Sequence, residues 1–582
     1  MKLFKRLVVA AIAVAITAGT LVACKGSGSG DSEKTVTLNC YSQLANFEGI
    51  QPGWFGAILK NKFNVELNII KESGTTYATR MEAGDLGDIV VWGSAGQQYK
   101  DAVAAGMLLD WEANGILDEY GKDIKETMNA ALEHNRDISG GTIYGFGHNV
   151  ATSAADHEQF FYSWDLRYDY YEELGCPEIK TLDDLIAVFE QMKANHPTDD
   201  DGKETYAISL WPDWDGNMVM YPKSLATAYY GYDELGIGHY NCETGEFYDA
   251  LMINDDGTYG PYIEMLKFFN KLYQKGLLDP DSNIQKYDQA TAKILTGRTF
   301  WSIFNYAGSS IFNTEENVAA GKAMYTVVPE EATPCVYGMN VLGGNRIWSI
   351  GSKTKYPEKC MEIINWMCTP DGTLEHTYGP QGLMWYYGED GLTYFTELGK
   401  SAALDTSVEM KSDDEQYADY CGKKFKDGQQ QINNTTWSVD ATNPKTGERY
   451  NYKYWASEKV QPAADSIDAR WREWAGADNS DEYLENRGKY MLSIGSGYTE
   501  GSKDADLDVI WKQVTKAIVE GSWKVMMSET DAEFESNLQA MIDLAKSYSD
   551  KNGNGYEQCV EWSKNEAATR KAAEDEAVAL NK

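Results

Sequence analysis

Hydrophobic and polar residues alternate at the start of the body of the chain. Val36, Leu38 and Cys40 face one way, and Thr37 and Asn39 the other, the period of a strand. Trp54 to Lys62 then reads as a helix, and Val65 to Ile70 as a second strand. Asp88 introduces Ile89-Val90-Val91, a short apolar run bounded by glycines, which predicts a buried strand. Ile143 to Phe146 and Tyr206 to Leu210 read as further strands. Strand and helix in alternation predict a mainly parallel α/β sheet. Thr181-Leu182-Asp183-Asp184 has an N-cap threonine followed by acids. Leu182, Leu185, Ile186, Phe189 and Met192 then recur on one helical face. Thr299 to Phe304 reads as a strand, and from Gly321 the pattern runs on through strand and loop to a helix around Met361–Met367. The stretch from Asp390 to Gly501 is polar and aromatic with weak periodicity and yields no assignment. Leu507 to Ile518 and Phe534 to Tyr548 predict amphipathic helices, and a charged helical tail follows. No internal repeat is present.

The first 23 residues stand apart from this pattern. Lys2, Lys5 and Arg6 precede the uncharged apolar run Leu7 to Ala18, the layout of a secretory signal. Leu21-Val22-Ala23-Cys24 resembles the bacterial lipobox, which implies cleavage before Cys24 and a lipid on its sulfur. Residues 24–34 are rich in glycine and serine and predict a flexible tether. The expected location is the outer face of a bacterial cell membrane, held there by the lipid alone.

Composition sharpens this. The net charge of −37 makes a surface that repels nucleic-acid phosphates and anionic headgroups. A hydrophobic content of 43% indicates a globular body, and its length calls for more than one lobe. Nine cysteines are scattered without a CxxC pair, so zinc-ribbon and thioredoxin-type motifs are not supported. Cys360 and Cys368 would lie about 12 Å apart along one helix, too far to bridge. Buried free thiols are the expected state.

Several segments, in order, carry a family resemblance. They are Ala83-Gly84-Asp85-Leu86-Gly87-Asp88-Ile89-Val90, Gly106-Met107-Leu108-Leu109-Asp110, Ile143-Tyr144-Gly145-Phe146, and Trp164-Asp165-Leu166-Arg167 through Leu174-Gly175, Pro177 and Thr181-Leu182-Asp183-Asp184-Leu185. Pro357-Glu358-Lys359 and Ile518-Val519-Glu520-Gly521 continue the series. The chain resembles bacterial extracellular solute-binding proteins of carbohydrate-uptake ABC transporters, the large Gram-positive lipoprotein type. Gly87 departs from the family's usual proline. The resemblance implies a two-lobed, type II periplasmic-binding-protein-like α/β fold, with strands crossing between the lobes and a ligand in the cleft. Lobe 1 is expected at 35–150 plus 305–370. Lobe 2 is expected at 151–304 plus 371–582, with the C-terminal helices. A monomer that hands its solute to membrane permease subunits is implied.

Sugars expose C–H faces, which aromatic rings cover, and hydroxyls, which amides and acids satisfy. The chain has 17 Trp and 38 Tyr against 17 Phe, a bias toward rings with a polar tip. In open α/β sheets ligands sit beyond the carboxyl ends of strands. That rule selects Trp92, His148 and Asn149, and Asn305 and Tyr306. The richest candidate is the loop Trp211-Pro212-Asp213-Trp214-Asp215-Gly216-Asn217, with Trp211, Asp213, Trp214, Asp215 and Asn217 as ligand contacts. Asn345-Arg346 and the stretch Gln381 to Tyr386 are secondary candidates.

One metal-like motif is present. Asp550, Asn552, Asn554 and Glu561 fit the D-x-N-x-N-G-x5-E spacing of a calcium loop. Only Asp550 and Glu561 are anionic, and a plain helix-to-helix turn is the competing reading. No cofactor is required. The chain lacks G-x-S-x-G, H-E-x-x-H and P-loop motifs, so it reads as a non-enzyme. A secreted carbohydrate-active enzyme, which needs only two placed carboxylates, and a glycan-binding surface protein without transport are the alternatives.

Overall fold

The computed structural model describes residues 34–550 and 552–581. The expected signal segment, Cys24 and almost all of the tether lie outside the described residues.

Two separate hydrophobic cores define two lobes. The first is built on a six-stranded sheet in the order Gly49–Ile50, Val65–Lys71, Val36–Ser42, Ile89–Val91, Ile347–Ile350, Gly145–Gly147. Val36–Ser42 pairs in parallel with both Val65–Lys71 and Ile89–Val91. Ile347–Ile350 runs antiparallel to both of its neighbours. The alternation read at Val36–Cys40 holds: Leu38 and Cys40 are in the core while Thr37 and Asn39 are not. Helix Gly53–Phe63 covers one face through Trp54, Phe55, Ile58 and Leu59.

The second lobe departs from the expected parallel sheet. Trp301–Phe304, Tyr162–Arg167 and Met324–Thr326 form a three-stranded antiparallel sheet with Tyr162–Arg167 in the middle. Single parallel bridges, Tyr206 with Thr299 and Ile208 with Leu278, extend it. The helix predicted after Thr181 spans Leu182–Asn195 and has the full capping box, with Thr181 and Asp184 satisfying each other's backbone N–H.

The lobe boundaries differ from those expected. Phe312, Met324 and Val327 pack in the second core, because Met324–Thr326 is a strand of its sheet. Leu374, Trp385, Phe395, Trp437 and Trp455 pack in the first core. Helix Pro370–Tyr378 follows helix Pro357–Cys368 directly, with the Thr369 hydroxyl capping its start, so the chain stays in the first lobe. As far as Trp455 the unassigned stretch is largely a polar cover pinned to that core by rings such as Trp437 and Trp455, whereas Ile467, Trp471 and Leu484 pack in the second core.

The lobes are joined by several passages. One runs from Val150, in the first core, to Phe160, in the second. Strand Cys335–Asn340 also passes across, with Val336 in the second core and Met339 in the first. It pairs in parallel with Met491–Gly495, and His157 bridges to Gly338. Helix Gly555–Leu580, about 39 Å long at 1.5 Å per residue, runs alongside. Tyr556 and Cys559 lie in the second core and Ala577 in the first. At its middle the Arg570 guanidinium donates to Asp233 (2.8 Å), Glu574 (2.9 Å) and the Ser493 hydroxyl (2.6 Å). Among the described residues no helix is long and apolar enough to cross a membrane.

Candidate functional site

Next to the Val150–Phe160 passage, Phe304 at the carboxyl end of Trp301–Phe304 pairs with Tyr162 in lobe 2, and in lobe 1 the Trp92 N–H, just after Ile89–Val91, donates to the carbonyl of Ile347, which pairs with Gly147. Asn149 stands at its start and Phe161 at its end, and the residues around each make a candidate lip on their own lobe.

The lobe 2 lip is aromatic. Trp214 is 46% exposed and Phe161 42%. The Trp214 ring lies 4.4 Å from Tyr287 and 6.1 Å from Tyr306, and Tyr306 lies 5.8 Å from Phe161. The four rings make one continuous strip, Tyr287–Trp214–Tyr306–Phe161. Phe304 backs Tyr306 at 4.9 Å. Burial pushes the Tyr306 phenol well up, so it remains a neutral donor and acceptor.

The Trp211–Asn217 loop therefore divides its labour. Trp211 was a candidate contact, but it is 0% exposed. Its ring meets Trp214, Tyr221 and Tyr287 edge-on at 5.5, 5.2 and 5.0 Å. It follows the buried residue Leu210 into the core and props the strip from beneath. Asp213 accepts the Tyr287 N–H at 3.1 Å, at the start of helix Tyr287–Leu295, and so draws Tyr287 against Trp214. Asp215 points inward, accepting from the Met220 N–H (2.9 Å) and the Trp523 indole (2.7 Å). Burial raises its carboxyl above the usual range. Asn217 bridges the Gly236 carbonyl (2.8 Å) and the Trp511 indole (2.9 Å). Asp215 and Asn217, also candidates, thus anchor the loop and leave Asp213, Trp214 and Gly216 exposed. Asn305 opens the short turn Asn305–Ala307 and is half-buried beside Tyr306.

The lobe 1 lip is polar. Trp92, a candidate there, is 0% exposed and packs edge-on to Tyr77 and Tyr99 in a small third core. The residues around it form the lip. Gln43 accepts the Gly93 N–H at 2.8 Å and donates to Gln98 at 2.6 Å. Exposed Ser94, Asn345 and Arg346 lie along the same edge. His148 receives the Arg346 N–H at 3.3 Å on its Nδ1. Burial, with the Arg346 charge, lowers its imidazole to about 4, so it is neutral at pH 7. Asn149 is exposed in the left-handed region at φ 50°, and its amide oxygen accepts from the Thr435 hydroxyl. Asn433 donates to the Leu44 carbonyl at 2.8 Å, tying the 430s segment to the lip. Of the secondary candidates, Gln381 to Tyr386 fold against helix Pro370–Tyr378, where the Trp385 indole donates to the Gly379 carbonyl at 2.9 Å.

Phe161, Tyr287 and Gln43 escaped the sequence reading. Phe161 had a signal: Phe160 and Tyr162 turn inward around it, a two-residue alternation at a strand start. Tyr287 and Gln43 had none, since each reaches its lip through tertiary contacts.

In the calcium-like stretch, Asp550 accepts from the Asn552 N–H (2.7 Å) and the Gln558 amide (2.9 Å). Asn554 caps helix Gly555–Leu580 by accepting the Glu557 N–H at 3.1 Å. These oxygens close the turn between the two helices.

Two α/β lobes are thus joined by crossing strands, one with an aromatic and one with a polar candidate lip. Residues 55–384 match the family of bacterial extracellular solute-binding proteins, and the chain belongs to that family. Lipoprotein LipO of Bacillus subtilis (strain 168) is 23% identical over 250 residues, which is 43% of this chain and 42% of LipO. The match thus spans less than half of that relative. Among solved structures, the N-glycan transport solute binding protein NgtS of Streptococcus pneumoniae is 14% identical over 92% of this chain and 99% of its own, at a TM-score of 0.43. An HMO-binding, ABC-transporter-associated solute-binding protein of Bifidobacterium longum infantis is 13% identical over the same shares, at 0.44.

Proposed function

We propose that the chain captures an oligosaccharide in the gap between its lobes and delivers it to the permease of an ABC importer. The observation that carries this reading is the four-ring strip on lobe 2, with half-exposed Trp214 at its centre. A strip of that length suits several sugar rings in succession. Each ring face offers C–H groups to stack on, and the hydroxyl edges are left for partners on the other lip. Gln43, Gln98, Ser94, Asn149 and Arg346 supply amide, hydroxyl and guanidinium groups there. Hinge rotation on the crossing strands brings the lips together around the solute. The solute leaves unchanged.

The working location is the outer face of the cell membrane, with Cys24 carrying the lipid. The lipobox-like Leu21-Val22-Ala23-Cys24 and the likeness to a lipoprotein support this.

Titration calorimetry against a panel of oligosaccharides, with each sugar recovered and chromatographed, tests the reading. Saturable 1:1 heat with intact sugar is expected. Conversion of the sugar would make the protein an enzyme, and silence across the panel would remove oligosaccharides as the solute.

A further inference from the structure

A sulfur pair lies in lobe 2 beside the crossing strand. Cys242 directly follows strand Gly238–Asn241, and Cys335 is the first residue of the crossing strand Cys335–Asn340. Their Sγ atoms stand 3.8 Å apart, across 93 positions of sequence. Both are buried. Leu235, Tyr240 and Ala567 surround the pair, and the remaining polar contacts are long ones to the Tyr240 and Val336 carbonyls, 3.9 Å each.

Such a pair gains little from staying reduced, because a thiol is a weak donor and its contacts to the carbonyls are long. A disulfide needs about 2.05 Å between sulfurs. From contact distance, each sulfur has to move by about 1 Å, within the range of a side-chain rotation. Disulfides persist outside the reducing cytosol, where proteins of this family work.

We propose that Cys242 and Cys335 form an oxidative modification site, joined as a disulfide once the chain has left the cytosol. The oxidant is itself a disulfide, either of a thiol oxidoreductase or of a small thiol. One cysteine thiolate attacks the oxidant's S–S bond, forming a mixed disulfide and releasing one thiol. The second cysteine thiolate attacks the protein sulfur of that mixed disulfide, forming the Cys242–Cys335 bond and releasing the second thiol. Two electrons and two protons pass from the cysteine pair to the oxidant. The contact with Cys242, together with burial, pushes the Cys335 thiol well up. The thiolate is therefore scarce in the folded chain, and the bond forms during folding, before the site closes. Once made, it fastens the lobe 2 end of a strand on which the lobes hinge.

The test is to refold the full chain with oxidised or reduced glutathione, then count thiols under denaturing conditions, map the peptides and measure Tm. The expected result is two fewer thiols in the oxidised chain than in the reduced one, and one cross-linked peptide pair containing Cys242 and Cys335. The oxidised form should melt about 5 °C or more above the reduced one. The same thiol count in both buffers, or a cross-link at another pair, would overturn the proposal. The double variant C242A/C335S should melt at the same temperature in both buffers. A redox-dependent Tm in that variant would also overturn the proposal. Should the variant not fold, the peptide map of the unaltered chain decides alone.

Discussion

The two lips of the cleft are built from opposite materials. Lobe 2 presents rings that are already packed on one another, with Trp211 beneath and Asp213 holding Tyr287 in place. Lobe 1 presents amides and a guanidinium, with Gln43 hydrogen-bonded to Gln98. A rigid aromatic face loses little entropy when a sugar stacks on it. A polar lip contributes only when the lobes close and its groups reach the hydroxyls. Lobe 2 should therefore set most of the affinity, and lobe 1 the selection among sugars.

Trp211→Ala should have the largest effect, and it falls on the fold. Emptying a fully buried indole site costs about 3–5 kcal/mol, so a markedly lower Tm is expected together with weak binding. Trp214→Ala should separate the two quantities. Affinity should fall about 10–100-fold, while Tm stays within about 2 °C of the parent. A lowered Tm with unchanged affinity would place Trp214 in the core and move the site elsewhere. Gln43→Ala should cost less, about 0.5–1.5 kcal/mol, and unequally across the sugar panel. An equal loss for every sugar would remove the distinction between the lips.

The smallest effect concerns pH. The His148 imidazole, lowered to about 4 by burial and by Arg346, carries no charge between pH 5.5 and 7.5. Calorimetry should find affinity flat over that range. Below an unfolded value of about 6.5 the unfolded chain takes up a proton that the folded His148 does not. Its share of stability is thus lost as pH falls from about 6.5 toward 4. Thermal melts of His148→Gln should show a shallower decline over that window.

The fold was legible where local pattern and burial agree. Val36–Cys40, with one buried face, shows its alternation openly, and Thr181 with Asp184 announces its helix by cap chemistry alone. The antiparallel sheet of lobe 2 was not legible. Tyr162–Arg167 is buried along its whole length, and nothing local tells which strands flank it. The lobe assignment of 305–336 failed for the same reason, since Met324–Thr326 is fixed by pairing with a strand far away in sequence. At the candidate site, the rule about carboxyl ends of strands selected two side chains that the structure buries. Trp92 and Trp211 follow their strands inward. The exposed residues are their neighbours Ser94 and Trp214. Sequence distinguishes a tryptophan from a glycine, but not a ring that props a surface from a ring that is the surface.

A crystal structure with a bound oligosaccharide tests the central claim most directly. The account predicts closed lobes, sugar rings stacked on Trp214 and Tyr306, and hydroxyls paired with Gln43, Asn149 or Arg346. A sugar bound away from the aromatic strip, or lobes unmoved around it, would contradict the account.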